Sequence, residues 1–346
     1  MEFISHNHQQ VMRFRYQGGR CRLKLFLLER YGEARGEEWK ATFFPDRVRL
    51  NGAEVNEETM LEPGDEVAYL HLRSEEPPPP PLQVLHDDEA LTVLLKPDHQ
   101  PVHPAGVFHF TSLALMARKV LGRPALAPVH RLDLETSGPV VFAAGPAEAR
   151  HLQGQFVGHQ VQKRYRALVH GHWPVEQTEM AGWVHPLAHS AIHTRLGFTP
   201  QTKQEEPPPA KGQYALTRVW AVEHLNHPKG PLSDLWLEPV TGRTNQLRVQ
   251  LSALGHPIVG DKKYHPDEGV FLQWMTHRRF EPLEEALWLP RQALHCQFIQ
   301  FTHPHTQQPL RVESPPEVWQ AVRQALPEVA SLSAPVALFP PSAQTL

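Results

Sequence analysis

Cysteine is nearly absent from this chain: Cys21 and Cys296 are the only two. Two thiols make no disulfide framework, and their scarcity suits a reducing cytoplasm. No apolar run approaches the roughly 18 residues of a transmembrane helix, so no membrane partner is expected. The opening MEFISHNHQQ lacks the apolar core of a signal peptide. Neither charge sign dominates, with 34 Lys and Arg against 37 Asp and Glu, a formal charge of -3. That excludes a uniformly basic nucleic-acid coat but leaves room for a local basic groove. Glycine-rich phosphate loops of the GxGxxG or GxxxxGK[ST] kind are missing, as are HExxH and paired CxxC. Neither a nucleotide cofactor nor a metal is therefore expected. Histidine is abundant at 23 residues, but Pro186 breaks any helix that would align His185, His189 and His193. His303 and His305 stand two apart with no further ligand spacing around them.

Proline is abundant too, with 35 residues, and it marks the organisation. The five prolines Pro77 to Pro81 favour polyproline II and form a semi-rigid spacer. They divide a small domain over 1–76 from a large one over 82–333, consistent with a chain of 346 residues. Glu205 to Pro209 reads as a surface loop, and the Pro- and Ser-rich tail over 334–346 is expected to fray. In the small domain Met12, Phe14 and Tyr16 alternate with arginines as a half-buried strand does. Leu23, Phe26, Leu27 and Arg30 follow helical spacing, Asn51-Gly52 predicts a hairpin turn, and EVAYLHL predicts a strand. Val11 to Arg49 carries ten Lys and Arg against five acids, whereas Leu50 to Glu76 carries one against eight. Such segregation fits solvated faces or a basic edge toward RNA.

In the large domain, Thr111 is expected to cap a helix bearing Leu113, Met116, Ala117 and Val120, closed by Gly122. Pro146 opens a second helix, and Leu247, Leu251 and Leu254 space a third that Gly255 ends. PVVFAA, YRALVHG, LTRVWAV, DLWLEPV and LHCQFIQF read as strands. Strands outnumber helices without regular alternation, which predicts an α+β fold with a largely antiparallel mixed sheet and flanking helices. The small domain adds a separate α+β unit.

Three segments could carry chemistry. His130-Arg131-Leu132-Asp133-Leu134-Glu135-Thr136-Ser137-Gly138 places a carboxylate between an arginine and a tight turn before a buried strand. Half-burial and a cation can set the ionisation of such an aspartate, though a turn aspartate capping its own backbone is the simpler reading in isolation. Thr241-Gly242-Arg243-Thr244-Asn245-Gln246-Leu247-Arg248 sets Thr244 as a helix cap between two arginines, a pattern suited to a phosphate or carboxylate. Lys163-Arg164-Tyr165-Arg166 surrounds an aromatic with cations, as nucleic-acid contacts often do, or is an edge strand with Tyr165 in the core.

Together these segments resemble the RluA-type family of RNA pseudouridine synthases. HRLDLETSG is similar to the signature around its catalytic aspartate, KRYRALV to its aromatic strand, and GRTNQLRVQLSALGHPIVGDKKY to its second signature. LLKPDHQPVHP and RQALHCQFIQFTHPHTQQPL extend the likeness from about Leu82 to Glu317. Asn245 stands where the family usually has histidine, and Pro139 where it usually has an apolar residue. The small domain resembles, in degenerate form, the RNA-binding domain named after ribosomal protein S-four, best at RVRLNGAEV and LEPGDEV. The recognition helix of that domain would fall on Gly32 to Trp39, which carries more acid than base.

The resemblance implies isomerisation of a uridine already in structured RNA, ribosomal or transfer, by an aspartate-dependent reaction without redox change and so without a cofactor. The base must leave its stack, which calls for base flipping. It assigns Asp133, Tyr165 and Arg248 to catalysis, and His130, Arg131, Thr136, Arg243, Thr244 and Gln246 to substrate binding. A monomer with RNA as its partner is implied. Two rivals are an RNA-binding protein that has lost turnover, which Asn245 and Pro139 motivate, and a glycosidic hydrolase. The hydrolase needs a second carboxylate near Asp133, and Glu135 is the nearby one.

Overall fold

A computed structural model describes residues 5–6, 9–31, 48–72, 81–105, 108, 111–201, 208–277, 279–332 and 334–338. The chain divides into two compact units, Met1–Pro77 and Pro78–Leu346. The smaller contains β1 (Ser5–His6), β2 (Gln9–Arg15), β3 (Cys21–Arg22), α1 (Leu23–Tyr31), β4 (Val48–Leu50), β5 (Ala53–Glu54), β6 (Met60–Leu61) and β7 (Glu66–Leu72). Its main sheet runs β1-β2-β7-β4-β5. Asn51 and Gly52 both have positive φ, as the turn between β4 and β5 requires. Leu23 and Leu27 of α1 pack with Tyr16, Val48, Leu61 and Val67. The acid-rich segment Gly32 to Trp39 and most of the proline spacer lie outside the described residues.

In the larger unit β8 (Gln83–Asp87), β9 (Leu91–Lys96), β10 (Ala127–Pro128) and β11 (Gly138–Ala143) form a sheet in the order β10-β11-β9-β8. Every residue of β9 and β11 is buried, because alternate side chains enter two cores. Val93 and Val141 pack with Leu152 of α3 (Pro146–Val157) and with Ile299. Leu94, Val140 and Phe142 pack with Leu113, Ala114 and Ala117 of α2 (Leu113–Val120).

The larger sheet is antiparallel throughout. It comprises β12 (Gln162–His170), β13 (Glu179–Pro186), β14 (Leu196–Pro200), β15 (Gln213–His227), β16 (Gly230–Pro239), β17 (Leu294–Thr302) and β18 (Pro309–Glu313), ordered β14-β13-β15-β16-β12-β17-β18. One core lies between it, α4 (Gln246–Ala253), which contributes Leu247 and Leu251, and α6 (Pro316–Gln324), which contributes Trp319 and Val322. A further helix, α5 (Glu268–His277), comes between α4 and β17.

Three local expectations are corrected. Helix α2 starts one residue later than a Thr111 cap requires: Ser112 is the N-cap, and the Leu113 and Ala114 N–H groups donate to Pro101 and Val102 carbonyls. Asn245, not Thr244, is the N-cap of α4. Within the tail expected to fray, Val336–Ala337 forms β20 and pairs with Ala221 and Val222, with β19 (Ala330–Ser331) pairing beside it, while 339–346 lie outside the described residues. The cause is the 15-residue length of β15. It pairs with β13 only as far as Arg218, leaving an open edge that the C-terminal chain covers. Most of the expected loop at Glu205 to Pro209 lies outside the described residues. No helix among the described residues is long and apolar enough to cross a membrane.

Candidate active site

The HRLDLETSG segment leaves β10, turns, and enters β11. The turn is closed by the Thr136 N–H donating to the Asp133 carbonyl, 3.1 Å. Lys96, at the end of β9 and fully buried, donates from Nζ to the carbonyls of Pro97, 2.7 Å, and Leu134, 2.9 Å. Burial lowers its pKa to about 7, even though Asp98, Asp133 and Glu135 pull it upward. On the far side the Cys296 N–H donates to the Ser137 carbonyl, 2.8 Å, which joins the turn to β17. Gly138 makes that approach possible. Its φ is +135°, and a Cβ there would lie 2.5 Å from Cys296 Cβ and carbonyl oxygen.

Pro139 fits this strand. The Val141 N–H meets His130 Nε2 and its carbonyl accepts from Val129, so odd positions of β11 face away from β9. Strand β10 pairs only with Phe142 and Ala143. The missing N–H of Pro139 therefore removes no ladder bond.

Helix α4 brings the opposing cation. Arg248 donates from Nε and Nη2 to Asp261, 2.6 and 2.9 Å, and from Nη1 to Asp133, 2.7 Å. The Asp261 side chain is fully buried and also accepts the Tyr264 N–H, 3.0 Å. Burial works against both charges. The two carboxylates nonetheless hold Arg248 well above its ordinary pKa, and Arg248 with the Tyr264 N–H holds Asp261 below its own. Tyr264 lies beneath the guanidinium, 5.1 Å from its ring centre. Asn245 donates to the Tyr264 hydroxyl, 3.2 Å, from a left-handed backbone with φ 55° that asparagine tolerates. Here the residue replacing the family's usual histidine supports the arginine's platform.

Asp133 and Arg248 open onto a cavity of about 530 Å³, also lined by His130, Arg131, Thr136, Tyr165, Arg243 and Gln246. Thr244 is the one expected residue outside that lining. Three lining groups are already committed to neighbours. His130 Nε2 accepts from Val141 and its ring stacks on Phe156, and burial drives its pKa to about 3, so it is neutral. Thr136 accepts from Gln292, 2.5 Å. Gln246 accepts from Thr241 and the Arg243 N–H and donates to Leu216 and Thr217. Arg131 is exposed at the rim, and Arg243 uses Nε on the Tyr214 carbonyl. Tyr165 follows a β-bulge in β12 that aims it into the cavity. Burial first, then Cys296 and Asp133, hold its phenol well above the ordinary value.

The sequence reading missed Lys96, Asp261 and Tyr264. A lysine ending the apolar run LTVLLK was the signal for the first. Asp261 and Tyr264 lay in a stretch read only as basic and turn-rich. Glu135 is not a second free carboxylate: it accepts from Lys262 Nζ, 2.6 Å, and the Gln292 N–H, 3.0 Å. Elsewhere His86, Asp88 and His303 bring three potential ligand atoms within 4.8 Å of one another. His303 Nδ1 accepts the N–H groups of His305 and Thr306, which leaves the proton of a neutral ring on Nε2, facing Asp88. In that form Nε2–H donates a hydrogen bond to the Asp88 carboxylate and offers no lone pair there for a metal.

A family profile described as RNA pseudouridylate synthase matches residues 90–253. Ribosomal large subunit pseudouridine synthase C of Vibrio cholerae is 31% identical over 285 residues, 78% of this chain and 81% of that protein. The tRNA pseudouridine synthase C of the same organism is 31% identical, over 70% of this chain and 94% of its own length. Among solved structures, human RNA Pseudouridylate Synthase Domain Containing 1 superposes with a TM-score of 0.56 at 23% identity. It covers 75% of this chain and 93% of its own, which supports the fold.

Proposed function

The chain belongs to the RNA pseudouridine synthase family, and from that premise we propose that it isomerises uridines of ribosomal or transfer RNA at the Asp133 cavity. The observation that carries the site is the Asp133–Arg248–Asp261 arrangement at the cavity wall, next to Tyr165. In the reaction the bond from ribose C1′ to uracil N1 breaks, the base turns, C1′ bonds to C5, the C5 proton leaves and N1 takes up a proton, so that product and substrate are isomers. Asp133 is the reacting carboxylate, held by one arm of a guanidinium whose other two donors are fixed on buried Asp261. It acts at the sugar or the base, stabilising positive charge at the anomeric carbon or adding to the ring. Tyr165 gives the flipped uracil a packing surface, and its phenol, held protonated, gives its own proton to the water of the cavity as it takes the one from C5, acting as a relay and not as a free phenolate. Arg131 at the rim fills the space the uridine vacates.

The cavity is complete within one chain, which supports the reading of a monomer, and the scarcity of cysteine supports a reducing cytoplasm as its location. The site does not support a two-carboxylate hydrolase, because Glu135 is bound elsewhere. Asn245 and Pro139 are both locally accommodated, which removes the motive for reading a protein without turnover. The test is pseudouridine-specific chemical labelling of total RNA from cells lacking the chain, with and without the wild type or Asp133→Asn. The expected result is a labelled position lost on deletion, restored by the wild type and not by Asp133→Asn. Restoration by Asp133→Asn would sink the assignment of Asp133.

A further inference from the structure

Strand β12 alternates its cations between two environments. Arg164 faces Glu238 at 3.5 Å and Arg166 faces Asp234 at 2.5 Å, on the side of the strand away from the cavity. Lys163 shares the opposite side with Tyr165, and both line the cavity. They stand two positions apart with Arg164 between them, roughly 7 Å. Among the described residues no carboxylate pairs with Lys163. Its ammonium stands 5.7 Å from the Phe156 ring centre, and a Cβ built on Gly242 would lie 3.8 Å from Nζ. Glycine at 242 leaves that side of the ammonium without a side chain.

The charge of the cavity points the same way. Its lining contains one carboxylate, Asp133, against Arg131, Lys163, Arg243 and Arg248. Arg248 is already neutralised by Asp261 and Asp133. Cys296, the group that most opposes the effect of burial on Lys163, is a thiol itself pushed up to about 12 and so carries no charge at neutral pH. Lys163 is thus a half-buried cation that no anion compensates among the described residues.

We propose that Lys163 is the phosphate anchor of the cavity, its Nζ donating to a non-bridging oxygen of a phosphodiester that adjoins the target uridine. This rests on the reading of the cavity as the uridine site. A base packed on Tyr165 then carries its own backbone to the lysine two residues along the same strand face. The contact fixes the flipped nucleotide by its phosphate, independent of base identity. Lys163 is a positioning residue: it sets how the nucleotide is seated and takes no part in bond making.

The test uses the full chain and a synthetic RNA hairpin centred on the uridine mapped by the labelling above. Lys163→Met keeps the stem over Phe156 and removes the charge, and Lys163→Arg restores a charge. The expected result for Lys163→Met is RNA affinity weaker by about 10-fold. Its slope of log affinity against log salt is shallower by about 0.7 to 0.9. Turnover at saturating RNA stays within about threefold, and Lys163→Arg recovers most of the affinity. Two further hairpins each carry one uncharged methylphosphonate, 5′ or 3′ of the uridine, beside a 2′-deoxy sugar that keeps the linkage intact. On one of them the gap between wild type and Lys163→Met closes. Equal salt slopes for the two proteins, or a gap that persists on both modified hairpins, would overturn the proposal. A wild type that converts no uridine would instead remove the reading beneath it.

Discussion

Consider Arg248→Ala. The guanidinium makes one bond to Asp133, whose side chain is 28% exposed, and two to Asp261, whose side chain is fully buried. After the substitution Asp261 keeps only the Tyr264 N–H among its charge-assisted partners. Removing one member of a buried pair destabilises by about 3–5 kcal/mol, because the remaining charge stays desolvated. The bond to Asp133, partly screened by water, contributes about 1 kcal/mol or less. The fold as a whole is worth only about 5–15 kcal/mol, so most of the damage is structural and arises at Asp261. Adding Asp261→Asn removes the orphaned charge and lets the amide oxygen accept the Tyr264 N–H. The double variant should therefore regain about 2–3 kcal/mol over Arg248→Ala, while turnover stays depressed because Asp133 is still unheld. Urea unfolding followed by tryptophan fluorescence reads this directly, since seven of the eight tryptophans lie beyond Pro77. Single-turnover conversion of RNA reads the chemistry. The pH dependence supplies a second check. Asp261 is depressed in the folded wild type, so its contribution is present above the unfolded value and fades as pH falls through the folded one. In Arg248→Ala the same carboxylate is relieved by protonation, so the stability gap narrows toward pH about 4. Wild-type stability in Arg248→Ala, or no recovery in the double variant, would refute the assignment of Asp261 as the arginine's main partner.

Tyr165→Phe keeps the ring and loses the hydroxyl, so RNA affinity should stay within about twofold while turnover falls at least about 10²-fold; unchanged turnover would remove the relay. Gly138→Ala should destabilise by about 2–4 kcal/mol, since a methyl at φ +135° collides with the Cys296 backbone, and a urea midpoint equal to wild type would contradict this. Burial pushes His130 and His295 down to about 3 and His170 to about 4. The unfolded chain therefore takes up protons first, and stability should fall from pH about 6.5 to about 4, at up to about 1.4 kcal/mol per unit per histidine. A urea midpoint that is flat over that range would count against neutral buried histidines. Removal of residues 1–77 should leave the larger unit folded, because that unit has its own cores, and loss of cooperative melting would show otherwise.

What was legible in the sequence followed from local period and turn chemistry. The hairpin at Asn51-Gly52, the Pro146 helix start and the Gly255 helix stop each depend on one or two residues. The strands YRALVHG, LTRVWAV, DLWLEPV and LHCQFIQF stood out as half- or fully-buried runs, and all four are in the sheet. Both misplaced caps have one cause. A threonine is a good N-cap only when no better arrangement competes. Here carbonyls of Pro101 and Val102 satisfy the first N–H groups of α2, and the Arg243 carbonyl accepts the first N–H of α4, that of Gln246. The tail strand was illegible for a different reason, since its partner is an edge more than 100 positions away that exists only because β15 outruns β13.

The candidate site divides along the same line. Motifs carried Asp133, Tyr165 and Arg248, but nothing local announced that Arg248 spends two of its three bonds on Asp261. That pairing depends on α4 and the GDKKY turn folding over one another, and Asp261 looks like any turn aspartate in sequence. Its importance shows only as a carboxylate with no access to water. The same holds for Lys96, whose ammonium ends among backbone carbonyls rather than in solvent. The two buried groups act on Asp133 at different points. Lys96 fixes the backbone just after it, and Asp261 fixes the arginine that holds its side chain. Neither needs to touch RNA to matter. Asp133 is thereby held at both its main chain and its carboxyl end, and its side chain remains exposed enough to be reached. Preorganisation of that kind demands buried polar groups, and these demand partners distant in sequence. This is why the residues that do the positioning were harder to read than the residue they position.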